Sequence, residues 1–380
     1  MRTVAILGAT GSIGNQTLDL LRRYPDRFRA VALAGGSRAE PLFELVREFR
    51  PQMASLVREP EAIPDDLRFC EWRFGPDAAA RLVAECQPDD VVEAVVGVAG
   101  LSCAMTALTH AKRLLLANKE ALVTGGHLVM GLSKKLGRPV IPVDSEHSAI
   151  YQCLKAAQGN PVEKLILTAS GGPFRTWDKD RIHNATLSEA LAHPTWRMGK
   201  KITVDCATMM NKGLEIMEAG WLFGMPEDRI DVAVHPESVV HSMIQFADGA
   251  VLSQMGAPDM RGPISYALGE PERLPYQARP LTFDQMTLHF DAPDMDKFPC
   301  LRLARQAFAA GGSAPVTLNG ANEAAVERFL MGGMPFGRIA EAVDYAIQHA
   351  EAAGVDSVEA VYEADSRARS LAREYLEGRR

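Results

Sequence analysis

Val4-Ala5-Ile6-Leu7-Gly8-Ala9-Thr10-Gly11-Ser12-Ile13-Gly14 is an apolar run, a glycine string and the start of a helical pattern that continues through Leu18, Leu20 and Leu21. The apolar run reads as a buried strand, and the glycines as a tight turn into a helix N-terminus. This G-x-x-G-x-x-G order is a variant of the dinucleotide fingerprint, in which backbone amides and the helix dipole face a pyrophosphate.

Working outward, a second strand is expected at residues 30–34, ending in Gly35-Gly36-Ser37-Arg38. An NAD site usually places Asp or Glu at this point to hold the ribose 2′-hydroxyl. None stands here, so Ser37 and Arg38 point to NADP, with Glu40 close by as a counter-indication. Strands are further expected at 53–57, 91–96 and 113–117, and helices at 77–85, 101–110 and 121–136. That βαβ succession predicts a doubly wound, mostly parallel sheet over residues 1–144. Gly97-Val98-Ala99-Gly100 and Ala117-Asn118-Lys119-Glu120 follow two of its strands and so border the expected cofactor crevice. Lys119 is either a surface lysine or a contact to substrate or cofactor.

Past that sheet, Pro139-Val140-Ile141-Pro142-Val143 leads into Asp144-Ser145-Glu146-His147-Ser148. Open α/β sheets place chemistry just beyond the C-terminal ends of their strands, and Asp144 and Glu146 can aim at one point if the backbone stays extended. Asp144 or Ser145 can instead serve as a helix cap for residues 148–155. A second acidic stretch runs from Val204 to Glu218. If its helix begins near Met209, then Asn211, Glu215 and Glu218 share a face. Asn and Lys212 suit a phosphate, and the carboxylates suit a hard cation. Asp144, Glu146 and Glu215 together would make an all-oxygen site that prefers Mg²⁺ or Mn²⁺ to zinc.

Between these stretches a strand at 164–169 ends in Ser170-Gly171-Gly172-Pro173-Phe174, a small-residue loop suited to an anion. His193-Pro194-Thr195-Trp196-Arg197-Met198-Gly199-Lys200-Lys201 reads as a lid over a phosphate or as a structural loop anchored by its Trp. Strands at 231–234, 239–246 and 251–254 follow, the last two joined as a hairpin by Asp248-Gly249. Their sheet could pair between subunits. Five prolines mark 270–299 as a linker, and helices at 301–310, 317–330, 336–352 and 357–377 predict a C-terminal bundle. Asn319-Gly320-Ala321-Asn322-Glu323 is expected to open one of these helices, mainly as a cap. The fold class is therefore α/β: a Rossmann-like parallel sheet at 1–144, a central α+β catalytic domain at 145–269, the linker, and a helical bundle at 300–380.

Composition sets bounds. A formal charge of −7 and a pI near 5.8 argue against coating nucleic acid or an anionic membrane. Six scattered cysteines without a C-x-x-C pair indicate reduced thiols and a cytoplasmic home. No run approaches the roughly 20 apolar residues needed to span a bilayer.

Taken in order, the glycine turn, Asn118-Lys119-Glu120, Asp144-Ser145-Glu146-His147-Ser148, Ser170-Gly171-Gly172-Pro173-Phe174, His193-Pro194-Thr195-Trp196 and Met209-Met210-Asn211-Lys212-Gly213-Leu214-Glu215 resemble the 1-deoxy-D-xylulose 5-phosphate reductoisomerase family along the whole chain. The resemblance implies a divalent metal on Asp144, Glu146 and Glu215. It implies a sugar phosphate held by Ser170, Asn211 and Lys212, with His193 and Cys206 nearby and Ser145, Lys119 and Glu146 around the sugar oxygens. NADPH would contact Thr10, Gly11, Ser12, Ile13, Gly35, Gly36, Ser37, Asn118, Glu120 and Gly199. Trp196 and Met198 would belong to the lid, and Lys119 and Glu146 would handle protons. The family usually has serine where Cys206 stands, and a basic residue followed by Asn where Gly36-Ser37 stand. The implied reaction is metal-assisted rearrangement of a ketose phosphate, then reduction by hydride from NADPH, in a homodimer. Two rival readings are a metal-free NADP-dependent semialdehyde dehydrogenase, which would need a catalytic cysteine, and an NADP-sensing regulatory protein, which would leave the three carboxylates without a task.

Overall fold

The structure, a computed structural model, describes residues 1–196 and 198–378; Arg197, in the expected lid, lies outside the described residues. Two compact units emerge. The first comprises Met1–Ala121, His127–Ser148 and Asp259–Ala278, and the second the rest of the described chain.

In the first unit the order is β1 (Arg2–Leu7), α1 (Ser12–Arg23), β2 (Phe28–Ala34), α2 (Ala39–Phe49), β3 (Met53–Leu56), β4 (Glu71–Phe74), α3 (Ala78–Cys86), β5 (Asp90–Glu93), α4 (Gly100–His110), β6 (Arg113–Leu116), α5 (Glu120–Leu136) and β7 (Val140–Pro142). The strands form one sheet, β4-β3-β2-β1-β5-β6-β7, and every pairing is parallel. Parallel strands buried on both faces read as unbroken apolar runs, and Val4 to Leu7 are fully buried. Strand order reverses between β1 and β5, so the glycine turn leaves the sheet at its switch point, where such folds bind ligands. The doubly wound expectation holds. Three elements of this unit, α2, β4 and a helix over Arg261–Gly269, were not expected. β4 is an edge strand whose Arg73 pairs with Glu71 and Glu85, and its Glu71-Trp72-Arg73-Phe74 alternation runs for only four residues, too few to stand out in the sequence.

Helix α6 (Ser145–Ala156) leads to the second unit: β8 (Val162–Ala169), α7 (Lys179–His183), α8 (Leu187–Ala190), α9 (Lys200–Ala207), α10 (Met210–Phe223), β9 (Ile230–Val234), β10 (Val240–Phe246) and β11 (Val251–Met255). These strands make a mixed sheet, β11-β10-β8-β9, and β10 and β11 form the expected antiparallel hairpin. Helix α11 (Arg261–Gly269) groups with the first unit. The segment from 271 to 298 carries no helix, and one isolated bridge ties Asp291 to Val234. Helices α12 (Pro299–Ala310), α13 (Ala314–Leu330), α14 (Arg338–His349) and α15 (Val358–Gly378) complete the second unit.

One core cluster in that unit joins sheet residues Leu165 and Leu167 to Leu214 and Met217 of α10 and to Leu301, Leu318 and Ile339 of the terminal helices. Asn319 to Glu323 lie in the middle of α13 rather than at its start. Asn322 instead donates from Nδ2 to Asp205 Oδ1 of α9 at 2.8 Å, with both side chains buried. The capping expectation fails because Ser313 and the prolyl first turn start the helix earlier. Among the described residues no helix is long and apolar enough to cross a membrane.

Candidate functional site

In the first unit the glycines form a cradle that any side chain would fill. Gly8 has φ of 86°, and a Cβ there would lie 2.4 Å from the Ala94 carbonyl oxygen. A Cβ on Gly14 would lie 2.4 Å from the Gly8 oxygen, so β1, the turn and α1 can pack this closely only with glycine. Gly11 is the N-cap of α1 and offers no side chain, which leaves the first-turn amides to be satisfied from outside the helix. Thr10, Gly11, Ser12 and Ile13 are exposed or half-buried there, and Gly36, Ser37 and Arg38 are exposed beyond β2.

Asn118 is a clamp. Its Nδ2 donates to Val95 O at 2.7 Å, to Gly97 O at 2.9 Å and to Glu120 Oε2 at 3.1 Å, while Oδ1 accepts from Ala121 N at 2.7 Å. Gly100 makes room for it, since a Cβ there would stand 2.5 Å from Asn118 Cγ. The amide thus fixes the loop after β5 and orients Glu120.

Next to it, Lys119 Nζ donates to Asp144 Oδ2 at 3.1 Å, with both side chains nearly buried. Asp144 Oδ1 accepts from Glu146 N at 3.1 Å and meets the fully buried His147 Nδ1 at 3.0 Å. Asp144 therefore does cap α6, and it remains half-buried beside Glu146, whose Oε2 accepts the Ser145 hydroxyl. The capping and ligand readings are compatible. His147 was missed in the sequence; its signal was the i, i+3 spacing from Asp144 at a helix start.

In the second unit Met209, at φ of 60°, turns the chain from α9 into α10. On α10 the Asn211 amide and the Lys212 ammonium both donate to Glu215, one to each oxygen, and Lys212 and Glu215 are buried. Of the face expected for Asn211, Glu215 and Glu218, the contact between Asn211 and Glu215 is observed. Gly172, at φ of 65°, lies against α9, where a Cβ would come 2.7 Å from the Cys206 carbonyl oxygen. Ser170 Oγ, in the same loop, meets His193 Nε2 at 3.0 Å and accepts from Gly172 N at 3.3 Å. His193 Nδ1 accepts from Thr195 N at 3.2 Å and Trp196 N at 2.9 Å, so the neutral ring carries its proton on Nε2 and donates to Ser170. Ser170 Oγ accepts in both of its bonds, so its own hydrogen is spent in neither. Burial holds the His193 pKa below its usual value. Trp196 faces His241 at 6.5 Å between rings, Met198 is half-buried, and Gly199 is the exposed N-cap of α9.

Of the three cysteines a dehydrogenase would draw on, Cys103, Cys153 and Cys206, the first two offer no activated thiol. Cys103 and Cys153 are buried, and burial pushes both thiols up, Cys153 to about 11.

A dinucleotide cradle in one unit, and a serine–glycine loop with lysine, amide and carboxylate groups in the other, define a nucleotide-dependent oxidoreductase with a polar substrate site. Family profiles described as 1-deoxy-D-xylulose 5-phosphate reductoisomerase match residues 4–126, its C-terminal domain residues 140–223, and a DXP reductoisomerase C-terminal domain residues 255–371. The 1-deoxy-D-xylulose 5-phosphate reductoisomerase of Ralstonia nicotianae is 46% identical over 99% of this chain and 98% of its own. That of Geobacillus sp. strain WCH70 is 46% identical over 99% and 100%. A solved DOX-P reductoisomerase in complex with NADPH, fosmidomycin and magnesium superposes with a TM-score of 0.92 at 40% identity, covering 99% of this chain and 98% of that one. The Zymomonas mobilis enzyme in complex with NADPH gives 0.91 at 38%, covering 99% of each. The chain belongs to the 1-deoxy-D-xylulose 5-phosphate reductoisomerase family.

Proposed function

We propose that this protein converts 1-deoxy-D-xylulose 5-phosphate to 2-C-methyl-D-erythritol 4-phosphate with NADPH and Mg²⁺ or Mn²⁺, an early step of non-mevalonate isoprenoid precursor synthesis. The observation that carries this reading is the α10 row, where the phosphate donors Asn211 and Lys212 adjoin the carboxylate of Glu215. A substrate with a phosphate at one end and a metal-chelating oxygen pair at the other fits that sequence of charges. Neither rival has comparable support: burial raises the Cys103 and Cys153 thiols that the dehydrogenase would draw on, and the sensor leaves these groups idle.

The three proposed metal ligands, Asp144, Glu146 and Glu215, are all carboxylates, a donor set that fits a hard cation. The glycine cradle fits a pyrophosphate, because no side chain competes for the α1 amides. When bound, the metal supplies Lewis-acid polarisation of the substrate carbonyl and NADPH supplies hydride. The chain supplies the rest. Ser170, His193, Asn211, Lys212 and Cys206 bind the phosphate, with the Ser170 hydroxyl free to donate to it. Ser145, Lys119 and Glu146 surround the sugar oxygens, and Lys119 and Glu146 carry protons. Thr10 to Ile13, Gly35 to Ser37, Asn118, Glu120 and Gly199 hold NADPH, Asn118 through its backbone or its remaining Oδ1 lone pair, since Nδ2 is committed. Trp196 and Met198 close the lid, and closure excludes water. We place the protein in the cytoplasm as a homodimer; the absence of a disulfide among the described residues and the open edge of β11 support this.

The test is NADPH oxidation with 1-deoxy-D-xylulose 5-phosphate on EDTA-stripped protein, resupplied with Mg²⁺ or Mn²⁺ and repeated with NADH. Turnover should return only with metal, and Glu215→Gln should remove it while NADPH binding persists. Turnover in the metal-free protein would refute the carboxylate assignment.

A further inference from the structure

The second unit holds a cavity of about 250 Å³ between α7 and the starts of α12 and α14, and none of the residues assigned above lines it. Its floor is apolar: Ile182, Phe298, Cys300, Leu303 and Phe336 are each no more than 6% exposed. Its charged lining residues are Lys179, Lys297 and Arg302, with His183, and the carboxylates Glu341 and Asp344. Glu341 already accepts the Tyr375 hydroxyl at 2.7 Å, whereas Lys179 and Arg302 make no ion pair among the described residues. The wall is built, not a packing gap. A Cβ at Gly337 would lie 2.0 Å from His183 Nδ1, so only glycine lets the imidazole lie against the start of α14, where Gly337 N also donates to His183 O at 2.9 Å.

We propose that this cavity is a second binding site, for a short aliphatic chain bearing a phosphate or carboxylate head, and that its occupant acts on the substrate-phosphate segments. Three observations set the ligand class. The volume falls just below the ~300–1,000 Å³ of drug-sized sites, so the ligand is small. The floor offers no hydrogen-bonding side chain among Ile182, Phe298, Leu303 and Phe336, so the body is apolar. Three fixed cations, Lys179, Lys297 and Arg302, outnumber the two lining carboxylates, of which Glu341 is engaged by Tyr375, in a chain whose net charge is −7, so the head is anionic.

The coupling follows from what stands behind the walls, and this part rests on the function proposed above. Phe336 meets Phe174 edge-on at 5.0 Å between rings, and Phe174 closes the Ser170 to Phe174 loop. Thr208, another lining residue, accepts from Met210 N through Oγ1 at 3.2 Å, at the turn that presents Asn211 and Lys212. A ligand that moves Phe336 or Thr208 therefore moves the back of both segments.

Calorimetric titration of the full chain with hexyl phosphate and with hexanoate tests this, with 1-hexanol and inorganic phosphate as controls. We expect saturable one-to-one binding of a hexyl anion, weakened about tenfold or more in Lys179→Glu/Arg302→Glu and abolished in Ala340→Trp, which fills the cavity. Whichever head binds more tightly identifies the anionic group. Absence of saturable binding at millimolar ligand, equal binding of 1-hexanol, or binding that survives both variants would overturn the site. Binding lost in Lys212→Gln but kept in Ala340→Trp would assign the ligand to the substrate-phosphate segment and overturn it equally. An unchanged KM for 1-deoxy-D-xylulose 5-phosphate at saturating hexyl anion would overturn the coupling.

Discussion

Both ring nitrogens of His193 are engaged, and that fixes its charge state. Nδ1 accepts two backbone amides while Nε2–H reaches Ser170, an arrangement a protonated imidazole cannot keep because it has no acceptor. Burial accordingly lowers its pKa in the folded chain. A depressed folded value means that the unfolded chain binds the proton more readily as pH falls. The stability contributed by neutral His193 is therefore fully present above its unfolded value of about 6.5 and is lost as pH drops through the folded value. Thermal unfolding between about pH 7.5 and about pH 5.5 should show wild type losing more stability than His193→Asn, whose Oδ1 keeps the amide acceptor but does not titrate. Parallel pH profiles would remove His193 as the titrating group. At Cys206 the change runs the other way. A thiol donates weakly, so Cys206→Ser should improve phosphate binding by about 1 kcal/mol, seen as a roughly fivefold lower KM; an unchanged KM would make the position neutral. Spacing made Asn211 and Glu215 legible, because i, i+4 on a helix is a contact. It could not reveal that Lys119 pairs with Asp144, since that contact crosses from the end of β6 to the end of β7 and is set by strand order.

Helix α10 packs on α12 through a glycine. A Cβ on Gly213 would stand 2.4 Å from the Ala304 Cβ, and neither group can rotate away. Alanine would gain about 1 kcal/mol in helix propensity, but opening two helices to relieve that overlap costs about 1–3 kcal/mol, so the clash should win. Gly213→Ala should lower the urea midpoint and raise KM, because the turn beside it carries Asn211 and Lys212. Adding Ala304→Gly should restore both. Failure of that rescue would mean the helices do not approach as closely as described. Elements with one strong period were readable in the sequence, among them the apolar strands and the four terminal helices, whose starts and ends move by three residues or fewer from expectation. The charged edge strand β4 was not readable, and the polar Asn319 to Glu323 run looked like a helix start because Asn and Gly usually end or open helices. In α13 that run is buried mid-helix: Asn322 bonds Asp205, and a Cβ on Gly320 would lie 2.8 Å from Asp365 Oδ1.

At the scale of the whole molecule, the proline-bearing segment makes residues 300–380 look like an appended bundle, yet their apolar faces complete the core of the second unit. Leu301, Leu303, Ala304, Leu318 and Ile339 share one cluster with Leu165, Leu214 and Met217, and Asn322 satisfies the buried Asp205. Removing the tail would uncover that cluster and leave Asp205 short of a partner, and either change costs several kcal/mol. The first unit, by contrast, lies entirely within residues 1–278 and buries its own sheet. A chain ending at residue 299 should therefore keep NADPH binding, followed by nicotinamide fluorescence, while all turnover disappears. In a denaturant titration the full chain should lose circular dichroism in two steps, and the shortened chain should keep only the step tied to NADPH binding. Retained turnover would show that the tail does not complete the core of the second unit, and loss of NADPH binding together with the tail would show that the two units do not fold independently.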